Sequence, residues 1–173
     1  MPTINPKEGK DKILMFRKLS EASSGAAAKL ALQIEHTITL ANSVESRMTK
    51  DGKVNTGSGL EATINMTAIS SNDEVNLMLM EAVLNNEKLE VWEVDFSDVQ
   101  TTTGENPITT YGALYMQGNL ENWELPADSE NFSEFTSSFK VDGKPQSGRT
   151  EMTVEQVEEV QYAFRDVKTA PSP

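Results

Sequence analysis

Two runs of strict period-two alternation, separated by a long polar stretch, constrain this chain more than any other feature. Leu30, Leu32, Ile34, His36, Ile38 and Leu40 alternate with Ala31, Gln33, Glu35, Thr37 and Thr39. Leu60, Ala62, Ile64, Met66 and Ala68 then alternate with Glu61, Thr63, Asn65 and Thr67. Successive side chains on a strand point to opposite faces, so each run offers one apolar and one polar face. Together they predict a β-hairpin far taller than a compact domain needs. Residues 41–59, between the runs, are almost wholly polar and contain Asp51-Gly52, which predicts a long hairpin loop. Loops beyond about 12–15 residues are uncommon inside compact domains unless functional or disordered. This one is expected to reach for a partner.

The 173 residues fit a single domain with room for a real core. No run approaches the roughly 18 apolar residues of a membrane span, so no membrane association is expected. Ala26-Ala27-Ala28 mimics a cleavage site but lacks a preceding apolar region, so no export signal is read. The sequons at Asn65 and Asn131 are then read as accidental. With no cysteine, disulfide and thiolate chemistry are excluded. The net charge of −12 is uneven: residues 1–53 carry +3 and residues 54–173 carry −15. So acidic a body disfavours ordinary nucleic-acid binding. The basic stretch Lys7, Lys10, Lys12, Arg17 and Lys18 is better suited to docking on an acidic neighbouring subunit.

Residues 1–11 read as a flexible arm, 13–19 as a short strand and 21–28 as a connector. Residues 71–86 predict the one packed helix, with Ser71 and Glu74 as a capping box. Val75, Met78, Leu79, Ala82 and Val83 form one apolar stripe, while Leu77, Met80 and Leu84 form a second patch on the far side. A helix apolar on two sides is covered on two sides, within its own monomer or by a neighbouring subunit. Residues 89–96 predict a strand, 100–109 a loop, and 111–125 an extended segment slipping register between Leu120 and Trp123. Residues 135–141 alternate again and end at Asp142-Gly143, a hairpin-turn signal. Thr153 and Gln156 cap a short helical turn that is expected to lead into a strand through Tyr162 and Phe164. Residues 167–173 read as a flexible tail. The sum is a mainly β domain, a sandwich or small barrel with one packed helix.

Catalytic chemistry is sought without result. His36 is the one histidine; with no neighbouring cysteine or carboxylate motif, packing is preferred over a role as catalytic base. Glu93 and Asp95 share a strand face, read as solvated rather than as paired carboxylates or metal ligands. No phosphate-cradling glycine loop, G-x-S-x-G or H-E-x-x-H occurs, so neither an enzyme nor a cofactor is expected.

An ordered set of short motifs spans nearly the whole chain, from about Lys12 to Asp166. It runs K-L-A-L-Q-I-E-H from Lys29, T-K-D-G from Thr49, G-L-E from Gly59 and L-E-V-W-E-V-D from Leu89. It continues with Y-M-Q-G from Tyr115, W-E-L-P-A from Trp123, D-G-K-P-Q-S-G from Asp142 and E-Q-V-E-E-V-Q-Y-A-F-R-D from Glu155. In order and wording this resembles the major tail proteins of long, non-contractile-tailed phages and prophages of Gram-positive bacteria. The resemblance implies a structural virion protein, assembled in the host cytoplasm into hexameric rings that stack around a tape-measure protein. It implies tail-tip or initiator and terminator partners, and DNA passing through the lumen without specific binding. It further implies a β-sandwich with a flanking helix, part of whose sheet joins its neighbours into an inner barrel.

Under that resemblance Gln33, Glu35, Thr37, Glu61, Thr63 and Asn65 are the candidate lumen face. Met48, Thr49, Lys50, Asp51, Gly52, Lys53, Val54 and Asn55 are the candidate stacking segment, and Leu77, Met80 and Leu84 the candidate lateral contact. The alternative is a monomeric β-sandwich binding module for carbohydrate or protein, with Trp92, Trp123 and Tyr115 as its platform.

Overall fold

The computed structural model describes residues 4–160. The strands are β1 (Lys12–Lys18), β2 (Ala28–Lys29), β3 (Gln33–Thr49), β4 (Gly52–Ile69), β5 (Leu89–Thr101), β6 (Thr109–Glu124), β7 (Glu134–Val141) and β8 (Gln146–Glu151). Two helices, α1 (Glu74–Asn85) and α2 (Val154–Val160), complete the fold. All strand pairings are antiparallel, in the order β2-β1-β5-β6-β7-β4-β3, with β8 added to β6. The expected mainly β fold with a packed helix is therefore present.

The end strands β2 and β3 are consecutive in the chain, so the sheet rolls back towards itself. Side chains bridge the seam, Gln33 first among them. The Gln33 amide accepts from the Leu14 N–H at 3.0 Å and donates to the carbonyls of Leu14 and Leu30 at 2.8 and 2.9 Å. A bulge at Ile34 turns Gln33 out of phase with the rest of β3 and makes this possible.

Inside the roll lies the main core: Leu14 and Phe16, Ile64 and Met66, Leu89 and Val91, Met116, Phe135 and Phe139. Helix α1 adds Val75, Leu79 and Ala82. Its cap is Asp73, whose carboxylate accepts from the amides of Val75 and Asn76 at 3.0 Å each. Ser71, expected as the cap, donates to Asp73 instead. The helix ends at Asn86, which takes the left-handed conformation with φ 52°. At Gly118, a Cβ would stand 1.9 Å from the carbonyl oxygen of Lys140, so only glycine permits β7 to close on β6 there.

The opposite face of β1 and β5 carries a smaller cluster of Met15, Val94 and Phe96, flanked by Trp92, Met152 and Val160. The expected capping box over α2 forms: the Thr153 amide donates to Gln156 Oε1 and the Gln156 amide to Thr153 Oγ1. The strand expected through Tyr162 and Phe164 and the tail at 167–173 lie outside the described residues, as do residues 1–3 of the expected arm.

Other sequence expectations need correction as well. The long hairpin is present, but its strands stay paired through 41–59, down to a tight Thr49–Gly52 turn. Asp142-Gly143 does not begin a hairpin; Gly143, with φ 69°, lets the chain jog from β7 into β8 along the same edge of β6. The basic stretch finds acidic partners in its own chain. Lys7 meets Asp95, Lys10 meets Glu8, Lys12 meets Glu93, Arg17 meets Glu90, and Lys18 meets Glu81 and Glu87. The expected register slip in β6 does occur, between Leu120 and Asn122.

Candidate assembly surfaces

Alternation on β3 and β4 sets two faces. His36, Ile38 and Leu40 lie opposite Met66, Ile64 and Ala62 on the core side. The other side pairs Glu35 with Thr67, Thr37 with Asn65, Thr39 with Thr63, and Ala41 with Glu61. β7 continues this polar face with Thr136, Ser138 and Lys140, and β6 continues it with Asn122 and Glu124. Ser138 donates to Asn65 Oδ1 at 2.7 Å and Lys140 to Thr63 Oγ1 at 3.4 Å, which ties the strands side to side. Five of the six candidate lumen residues, Glu35, Thr37, Glu61, Thr63 and Asn65, therefore share one hydroxyl- and carboxylate-rich wall. The sixth, Gln33, stands apart in the seam. Glu35, Glu61, Glu124 and Glu134 bring carboxylates to this wall, against the lysine Lys140.

Both ends of the wall are open. β3 pairs only with β4, so its outer edge is free. β5 pairs with β6 only as far as Gly118, which leaves residues 119–124 without a strand partner on that side. Unpaired edges are templates for further strand pairing.

Beyond Leu40 and Glu61 the hairpin leaves the body as an arm, and every residue of 41–59 is exposed. Nine paired residues at about 3.3 Å each give it roughly 30 Å of reach. Ser46 bonds Asn55 across the ladder, and Thr49 Oγ1 donates to the Gly52 carbonyl at the turn. Val44, Met48 and Val54 are bare on the arm. The candidate stacking residues occupy its tip: Met48 and Thr49 end β3, Lys50 and Asp51 make the turn, and Gly52, Lys53, Val54 and Asn55 open β4. On α1, Leu77 and Leu84 are exposed and Met80 half-buried, so the candidate lateral patch is a real surface feature.

The acidic pair on β5 is not a solvated face. Glu93 meets the His36 Nε2 at 2.6 Å and Lys12 at 3.4 Å, and all but a small fraction of its side chain is covered. Burial works against its charge, yet the His36 hydrogen bond and Lys12 hold its carboxyl below the usual range. Asp95 likewise pays for burial, but Lys7 and both donors of Ser97 outweigh this and hold it at about 2. His36 is thus a seam residue with an acidic partner, whose position 57 residues along the chain gave no local signal. Among the described residues no group of three or more His, Asp or Glu side chains is placed to hold a metal ion. The platform of the alternative reading does not form. Trp92 and Tyr115 contact each other at 5.2 Å between centroids, whereas Trp123 stacks on Phe135 of the main core. Among the described residues no helix is long and apolar enough to cross a membrane.

Comparison with known proteins accounts for this architecture. The family model described as phage tail tube protein matches residues 6–147. A putative tail protein of Staphylococcus phage phiMR25 is 28% identical over 170 residues, covering 96% of this chain and 86% of the relative. Among solved structures, the SPP1 tail tube superposes with a TM-score of 0.70 at 18% identity, over 95% of each chain. A chain of the native gene transfer agent virion gives 0.59 at 9% identity, over 83% of this chain and 99% of that one. At such identities these structures speak to the fold alone, while the family match covers most of the sequence. The chain belongs to the phage tail tube protein family.

Proposed function

We propose that this protein is the repeating wall subunit of a long, non-contractile tail tube. Copies close into rings of six, the symmetry of the gene-transfer-agent tail that shares its fold. Rings stack head to tail around a tape-measure protein between an initiator at the tip and a terminator, and the lumen later conducts DNA. The observation that carries this reading is the polar four-stranded wall with a free edge at each end. The β3 edge of one copy takes up residues 119–124 of the next, which satisfies both edges and closes a continuous barrel by rotation. The carboxylates of the wall then face the bore and repel phosphate, so that the duplex slides instead of binding. Stacking is a non-closing contact that needs reach. The arm supplies it with Met48, Thr49, Lys50, Asp51, Gly52, Lys53, Val54 and Asn55, and Leu77, Met80 and Leu84 add to the side-to-side contact.

Negative-stain electron microscopy and light scattering over a concentration series, with and without the tape-measure protein, test the proposal. Rings or hollow tubes are expected. A strict monomer at high concentration with that partner present would refute it.

A further inference from the structure

We propose that Phe132 of one copy seats in the groove beside Leu32 and Ile34 of the next copy around the ring. The inference rests on the tube reading and names a contact within it. The groove lies between β3 and β1, has a volume of 730 Å³, and is floored by Ile13, Ile38 and Leu114. At its mouth Leu32 and Ile34 are about half exposed (55% and 50%), an apolar surface that none of the described residues fully covers.

Strand sense brings Phe132 to this mouth. β3 lies three antiparallel steps from β6, so the two run in opposite directions. Rotation about a ring axis preserves direction along that axis. A neighbour's β6 laid along the free edge of β3 is therefore antiparallel to it, and its end at Glu124 arrives beside Gln33, where β3 begins. The chain leaving Glu124 is the loop 125–133, which carries Phe132. Phe132 is 81% exposed, and every other aromatic residue among those described is at least partly buried. A bare aromatic on a loop next to an open edge is the kind of anchor that fills a partner's pocket.

Charge agrees with the placement. Asp128, Glu130 and Glu134 surround Phe132, and residues 126–134 hold no lysine or arginine. The groove is lined by Lys10, Lys12 and Lys29 against Glu35 and Glu93, a net of +1 on a chain of −12. An acidic aromatic loop thus meets a locally basic apolar cleft.

The absence of native cysteine makes the test direct. Phe132→Cys and Ile34→Cys proteins, each carrying one thiol, are mixed, assembled, examined by electron microscopy and then oxidised. Tubes with a mixed disulfide dimer, identified by mass, are expected. Tubes without that dimer would overturn the contact and leave the tube reading standing. The dimer without tubes would support the contact and overturn the tube reading, and the absence of both would overturn both. Independently, Phe132→Ser should raise the concentration needed for assembly about thirty-fold, the loss of one interface anchor. Assembly of that variant at the wild-type concentration would overturn the contact.

Discussion

Asp95→Asn isolates a charge from its packing. The Oδ1 position keeps the bonds from the Ser97 amide and hydroxyl, while the oxygen that accepts from Lys7 at 2.8 Å gives way to an uncharged NH2 that cannot accept. A carboxyl lowered from 3.8 to about 2 corresponds to about 2.4 kcal/mol of stability at neutral pH. The Ser97 bonds that share in this shift survive in the variant, and Lys7 is 60% exposed so that solvent weakens its attraction, which leaves about 1 kcal/mol as the working figure. In a domain of this size that lowers the melting temperature by about 2–4 °C. The sign with pH follows from the direction of the shift. The folded carboxyl titrates below the unfolded one, so the stabilisation is complete above about pH 5 and drains away as pH falls towards 2. Thermal unfolding of both proteins, followed by circular dichroism at pH 7, 4 and 2.5, should show the gap between them narrowing in step. A gap that stays equally wide at pH 2.5 would mean that the substitution acts through packing, and the account of the Lys7–Asp95 contact would be wrong.

Other perturbations separate wall, arm and scaffold. Glu35→Lys or Glu61→Lys should leave tube assembly intact and impair DNA ejection; normal infectivity of both would remove these residues from the bore. Deleting residues 48–55 should preserve the thermal transition yet abolish stacking, and tubes of normal length would show that the arm tip is not the joint. Asp73→Ala should cost about 1 kcal/mol by uncapping α1, measurable as a small fall in the urea midpoint. Gly118→Ala should cost about 3 kcal/mol or more, because the Lys140 carbonyl has no room to move; near-wild-type stability would contradict the tight approach of β7 to β6.

Where a strand buries one side, the sequence announces it. His36 and Ile38, set opposite Met66 and Ile64, wrote the body of the hairpin in period two, and Leu79 and Ala82 wrote the helix. The arm was illegible as a ladder because neither of its faces is covered, which removes the alternation that marks a strand and leaves a composition that reads as loop. The polar wall was readable as a face but not as a wall, since Ser138 joins it by pairing with Asn65, 73 residues away, and Asn122 follows only through Ser138. The burial of Glu93 and Asp95 leaves no local signal for a related reason. Their partners His36, Lys12 and Lys7 come from β3 and from the N-terminal segment, and no local pattern forecasts a buried charge whose counter-ion is that remote. Gln33 escaped through a one-residue bulge, which alternation alone cannot foresee.

The arm and the wall are the same two strands. β3 and β4 run hydrogen-bonded from the core to the tip, with their register broken along the arm only between Ser43 and Val44, where Gly57 and Gly59 lie opposite. Mechanically this is a cantilever clamped in the barrel, without a coil to absorb motion at its root. A push on Met48 reaches Ile38 through the backbone ladder itself. Compliance gathers at the glycine-flanked bulge, the one place along the beam where the ladder is interrupted. If the arm joins ring to ring as proposed, a filament jointed by such beams would flex a little at every ring, and a long tail would curve smoothly without pinching its bore.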